Sequence, residues 1–125
     1  MKQPQANNRQ SLGKHGEDVA AQFLTHLGYS IIERNFRIRY GEIDIIAKDG
    51  GILVFVEVKT RIGRAYGLPE EAVTARKIHE IIKTSEFYCM KYPEHKGLQR
   101  IDVIAIEEGP NGEIERIEHI KNASF

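Results

Sequence analysis

The sequence predicts an α/β fold, a mixed β-sheet with helices packed on it in the order α-β-β-β-α-β-β. Three observations carry this. A stripe of Val19, Ala20, Phe23, Leu24 and Leu27 recurs at spacings of three and four and stops at Gly28, a helix-ending residue. Two apolar, β-branched runs, Glu42 to Lys48 and Ile52 to Thr60, flank Asp49-Gly50-Gly51, a strong hairpin signal. A second helical stripe, Val73, Ile78, Ile81, Ile82, Ser85, Tyr88 and Cys89, precedes Arg100 to Ile106, a run apolar on both faces and therefore interior to a sheet.

The elements follow in order. Residues 1–11 are polar and are expected to form a disordered tail, leaving 12–125 as one domain. The first helix spans Leu12 to Leu27 and the first strand Tyr29 to Arg37. The hairpin comes next, then a glycine-containing loop, Arg61 to Leu68. The second helix opens near Pro69 or Thr74. After the interior strand, Asn111-Gly112 signals a turn, and Glu113 to Ile120 makes the last strand.

At 125 residues the chain buries about two-thirds of its unfolded surface, enough for a real core. Its 18 basic and 18 acidic residues cancel, so no global field draws polyanions and any such binding must come from local clusters. Cys89 is the single cysteine, which forbids an intrachain disulfide and suits a reducing compartment. No apolar run approaches ~18 residues and the first residues carry no apolar signal segment, so a cytoplasmic location and no membrane partner are expected. The five histidines lack zinc-ligand spacing, and neither a phosphate-cradling glycine loop nor a Gly-x-Ser-x-Gly or Cys-His pattern is present. Cys89 lies on the apolar helical stripe and reads as core.

The hairpin carries charge where burial should exclude it. If Gly50 and Gly51 make a two-residue turn, Asp44 lies opposite Glu57, Glu42 opposite Lys59 and Ile46 opposite Phe55. Side-chain alternation then puts Asp44, Glu57 and Lys59 on one face. Two apposed carboxylates repel unless a cation sits between them. Magnesium takes hard oxygen ligands, commonly one or two protein carboxylates, and keeps waters that serve as nucleophile. Asp44 and Glu57 can supply those oxygens, the Val58 carbonyl a third, and Lys59 can orient the attacking water or offset charge on a phosphate. The plainer reading is a solvated ion-pair ladder, Glu42 with Lys59 and Asp44 with Arg61 or Lys48. Leu53 and Phe55 on the same face make it half buried, which favours the metal reading.

Glu17 stands at the margin of the first stripe between Gly13 and Gly16, placed to reach the hairpin as an outer carboxylate. Taken alone it reads better as a glutamate favoured by the helix dipole. Basic and aromatic residues interleave in Arg34, Arg37, Arg39 and Tyr40, and again in Arg61, Arg64 and Tyr66. Both segments adjoin the carboxylate end of the hairpin and form a candidate nucleic-acid surface. Lys77 is a further candidate phosphate contact, and Asp102 reads as a structural partner of Arg100.

The ordered series His15-Gly16-Glu17, Leu27-Gly28-Tyr29, Arg34-Asn35, Gly41-Glu42-Ile43-Asp44, Phe55-Val56-Glu57-Val58-Lys59, Arg61, Glu71-Ala72-Val73-Thr74, Lys77 and Arg100-Ile101-Asp102-Val103 resembles the PD-(D/E)xK superfamily of nucleases, with its restriction-endonuclease-like fold. Within it the chain is most similar to the small YraN-like bacterial family, and next to archaeal Holliday-junction resolvases. The likeness spans residues 15–103. It implies metal ligation by Asp44 and Glu57, a catalytic role for Lys59 and a supporting one for Glu17, with Mg²⁺ or Mn²⁺ as cofactor, DNA as partner and a homodimer as assembly. Ile43 departs from the pattern, since proline often precedes the aspartate there. The expected function is therefore a Mg²⁺-dependent DNA endonuclease acting on branched or structured DNA. Two alternatives stay open: a nucleic-acid-binding module with little turnover, and an interaction protein whose carboxylates form structural ion pairs.

Overall fold

The first amphipathic stripe forms helix α1 (Asn8–His26), and Gly28 ends it as expected. The computed structural model describes residues 8–95 and 97–123, with side chains from residue 12 onward. With Gly28 at φ +93°, its N–H reaches the Thr25 carbonyl at 3.0 Å and the Tyr29 N–H reaches that of Leu24 at 3.0 Å. This left-handed closing turn satisfies two of the last carbonyls of the helix. Leu27, expected on the stripe, lies beyond the last packed turn and is exposed. The helix starts four residues earlier than Leu12, so residues 8–11 of the expected tail are helical; residues 1–7 lie outside the described ones.

Strands β1 (Ser30–Ile38), β2 (Gly41–Asp49) and β3 (Ile52–Ile62) follow, then a 3₁₀ turn (Pro69–Ala72), helix α2 (Ala75–Lys91), a second 3₁₀ turn (Pro93–His95), and strands β4 (Gln99–Glu108) and β5 (Ile114–Ile120). They make one sheet in the order β1-β2-β3-β4-β5, antiparallel throughout except for parallel β3 and β4. A parallel pair needs a long crossover, and α2 supplies it. Thr74 caps α2, its hydroxyl accepting the Lys77 N–H at 3.2 Å.

The helices cover opposite faces. Ala20 and Leu24 of α1 pack with Tyr29, Ile45, Ala47, Val54, Val56, Ile104 and Ile106. Ile78, Ile81 and Tyr88 of α2 pack with Phe36, Ile43, Ile46, Leu53, Phe55, Ile101 and Val103. Val54 and Val56 thus face α1, while Leu53 and Phe55 face α2, as strand alternation demands. Burying each of the larger side chains contributes roughly 1.5–3 kcal/mol. Thr84, which breaks the apolar stripe of α2, is buried because Gly41 beneath it leaves room: a Cβ there would collide with the Thr84 hydroxyl.

The hairpin has the predicted register, pairing Asp49 with Ile52, Lys48 with Leu53, Ala47 with Val54, Ile46 with Phe55 and Ile45 with Val56. Of the two turn glycines only Gly50 has positive φ, +59°, the pattern of a type II′ turn. Beyond Ile45 and Val56 the strands part. There β2 keeps pairing with β1, and β3 with β4, but not with each other. The alternation of β2 also slips at this point: Ile43 and Ile45, two residues apart, face opposite layers. Across from the slip, Asn35 of β1 adopts φ +55°, a left-handed conformation that asparagine tolerates better than most residues.

Candidate metal centre

The opening between β2 and β3 is filled by carboxylates. Asp44 projects into it, and its Oδ2 accepts the Val58 N–H at 2.8 Å, where a strand carbonyl would otherwise stand. Carboxylate oxygens of Glu17, Glu42 and Asp44 lie within 4.8 Å of one another. Glu17 reaches them because α1 rides tightly on β3: Gly16 is buried, and a Cβ there would strike the Thr60 side chain. Glu57, only 8% exposed, approaches Asp44 from the α2 side, with its Oε1 3.9 Å from Lys77 Nζ. Lys59 follows one pleat on, close enough for its charge to act on Glu57. It lines a groove of about 520 Å³ with Val58, Thr60, Arg61, Tyr66 and Gly13.

The structure therefore brings together Asp44, Glu57, Lys59 and Glu17, though not on the single sheet face that ideal alternation gives. The strand slip turns Asp44 toward Glu17 of α1, while Glu57 reaches toward Lys77 of α2. The gap between the strands, rather than a shared face, lets them meet. Glu42 belongs to the cluster too, a membership the sequence reading passed over. Its signal was available, since Glu42 and Asp44 are two apart in a strand and alternation puts them on one side.

Negative charge in the opening exceeds what surrounds it. Burial, and then the neighbouring Glu57, push Asp44 up to about 8, against the pull of the Val58 N–H. Burial likewise raises Glu57, although Lys77 and the Asp44 carboxyl offset part of that. The two carboxyls behave as one coupled pair holding a proton. Glu17 is raised by burial despite Arg34. Arg34 Nη2 stands 3.5 Å from Glu17 Oε1 but gives its short contact, 2.7 Å, to Asp18 Oδ1. Glu17 Oε1 is left buried without a hydrogen-bond partner. Hard, crowded, partly unpartnered oxygens of this kind suit a small divalent cation.

Most of the arginines expected to face phosphate turn inward instead. Arg34 pairs with Asp18, Arg37 Nε with Glu42 at 3.2 Å, and Arg64 makes two hydrogen bonds to Glu107, of 2.7 and 3.2 Å. Lys77 is held by Glu57. Of the expected surface, Arg39, Tyr40, Arg61 and Tyr66 form no ion pair among the described residues. The Arg39 guanidinium lies 5.3 Å from the centre of the Tyr40 ring.

A contrasting carboxylate sits on β4. Asp102 is fully buried, contacted by Arg100 Nε at 2.8 Å and Nη2 at 3.1 Å, His119 Nε2 at 2.8 Å, the Asn122 N–H at 3.1 Å and the Tyr29 hydroxyl at 3.4 Å. Burial works against its charge, but the hydrogen bonds from His119, Arg100 and Asn122 outweigh it and hold Asp102 at about 2. The expected Arg100 partnership is thus one part of a larger network.

The model of the uncharacterised protein family UPF0102 matches residues 16–106, a span holding Glu17, Glu42, Asp44, Glu57, Lys59 and Lys77. The chain belongs to the UPF0102 family. It is 51% identical over 112 residues to a UPF0102 protein of Symbiobacterium thermophilum, covering 90% of this chain and 94% of that one. UPF0102 proteins of Persephonella marina, 49% identical over 89% of this chain and 90% of theirs, and of Clostridium botulinum, 48% identical over 90% and 92%, are similar along the same stretch. The UPF0102 match covers both layers of the fold and every carboxylate of the opening. Among the described residues, no helix is long and apolar enough to cross a membrane.

Proposed function

We propose that this chain is a Mg²⁺-dependent DNA endonuclease, with Mn²⁺ as substitute, hydrolysing phosphodiester bonds in branched or otherwise structured DNA. The observation that carries this is the surplus of buried carboxylate where β2 and β3 part, with Asp44 driven to hold a proton and Glu17 Oε1 without a partner. A purely structural cluster would be matched by cations, as Asp102 is.

In this reading Asp44 and Glu57 hold the ion, the Val58 carbonyl adds an oxygen, and Glu17 and Glu42 hold its water shell. Bound there, Mg²⁺ supplies Lewis-acid charge and an acidified water. The Val58 N–H fixes the Asp44 carboxylate, so that one oxygen is committed and the other faces the opening. Lys59 positions the water and offsets charge growing on the phosphate, while Lys77 keeps Glu57 oriented.

A second reading, a binding module with little turnover, draws support from Lys77, which already occupies part of Glu57. Incubating the protein with nicked, flapped, branched and single-stranded DNA in Mg²⁺ and in Mn²⁺ separates the two. Cleavage that disappears in Asp44→Asn and Glu57→Gln supports the nuclease. Metal-dependent binding without cleavage supports the module, and cleavage surviving Asp44→Asn overturns the proposed site.

A further inference from the structure

The rim of the opening differs from a surface built to grip a duplex. Duplex binders present many cations to phosphates along both strands. Here Arg34, Arg37 and Arg64 are spent on Asp18, Glu42 and Glu107. What remains outward is aromatic. Tyr40, in the turn between β1 and β2, is 81% exposed beneath the Arg39 guanidinium, and Tyr66, after β3, is 87% exposed at the wall of the groove that holds Lys59. Both rings are carried at the sheet end where the carboxylates gather. Exposed tyrosines without an apolar neighbourhood of their own add little to folding, but any base can stack on them.

The groove between them supports the same occupant. Its volume, about 520 Å³, falls in the range of small-molecule sites, the scale of one nucleotide rather than a duplex. Its wall carries a polar donor in want of an acceptor: Arg61 Nε is buried without a hydrogen-bond partner. The carboxylates themselves are recessed, Glu57 being 8% exposed, so a backbone must bend inward to reach them. An unpaired strand does so readily, whereas a stacked duplex resists.

We infer that the DNA segment taken by this site is unpaired, stacking bases on Tyr40 and Tyr66 while Arg61 and Lys59 receive its phosphate. This rests on the proposed nuclease site for its location, not for turnover. The test measures anisotropy of a labelled oligo-dT and of a duplex of equal length, using the Asp44→Asn chain, which removes one repelling carboxylate, in metal-free buffer. The single strand binds at least tenfold tighter than the duplex. Tyr40→Ala and Tyr66→Ala each weaken it by roughly tenfold, in line with the loss of one stacked base, while Tyr40→Phe and Tyr66→Phe change it little and the duplex is indifferent to all four. Equal or tighter duplex binding, or an unchanged oligo-dT affinity in the alanine variants, overturns the inference. Because no cleavage is read, the nuclease proposal can fail alone, with stacking intact and no product in Mg²⁺. It can also survive alone, with intact duplex cut by a chain lacking both tyrosines.

Discussion

Asp102 and Asp44 flank the same strand, one on β4 and one on β2, and their surroundings drive them in opposite directions. Asp102 is enclosed by donors from four elements or their flanks and stays charged far into acid. Asp44 is given one backbone N–H and is crowded by Glu57, Glu17 and Glu42. Burial alone penalises both charges. The partners decide the sign, so buried acid in this protein is structural at one place and unfinished at the other.

Replacing each acid is the strongest test of that contrast. Asp102→Ala strands Arg100 and His119 and should cost roughly 3–5 kcal/mol, the usual loss when one partner of a buried pair is removed, a drop in Tm of more than about 10 °C. Asp44→Asn should leave metal-free stability equal or slightly raised. A large loss from Asp44→Asn would erase the distinction between the two sites.

Metal provides the next largest effect. Mg²⁺ or Mn²⁺ at about a hundred times its Kd should stabilise the wild-type chain by roughly 2.7 kcal/mol and leave Asp44→Asn unmoved. The Asp44–Glu57 pair holds a proton near neutrality, so binding should release it, and the calorimetric heat should vary with the buffer's ionisation enthalpy. Heat independent of buffer would mean that the pair is already charged.

Linkage gives the two acids opposite pH signatures. Asp44 is raised from near 4 to about 8, so the native state holds an extra proton between those values; its stabilising contribution is complete below about 4 and is lost as pH climbs. Metal-free protein should therefore lose up to roughly 2 kcal/mol between pH 6 and 7.5, at ~1.4 kcal/mol per pH unit, and Asp44→Asn should flatten the curve. Asp102 is lowered, so its contribution is complete above about 4 and is lost as pH falls toward 2. Urea midpoints measured across pH for the wild type and both variants would resolve the two limbs.

The smallest effect applies the same contrast to cations. Arg39 is unpaired and Arg64 is committed to Glu107. Arg39→Ala should flatten the salt dependence of oligonucleotide binding by about 0.7 in log K against log salt, one single-strand contact, and Arg64→Ala should not. Equal flattening by both would mean that Glu107 releases Arg64 to the phosphate.

Much of this was legible before any coordinates. Gly50-Gly51 set a register that the strand pairs follow as far as Ile45 and Val56, and Gly28 and Thr74 marked helix boundaries through local hydrogen bonds. The meeting of Asp44 and Glu57 followed from that register. What could not be read was the slip at Asn35, because a positive φ at asparagine inside a strand run leaves only a faint compositional trace. The fate of the arginines was equally hidden. Arg64 finds Glu107 only after α2 has carried the chain back alongside β3, a juxtaposition that no local pattern announces.

The hydrogen bond from the Val58 N–H to Asp44 gives the protein a built-in probe of its own charge state. Most amides of an inner strand are shielded by neighbouring backbone and report only on unfolding. Val58 is shielded by a titrating carboxylate, so its hydrogen-exchange rate and proton chemical shift should follow the protonation and ion occupancy of the opening, residue by residue, without any label and without any substrate.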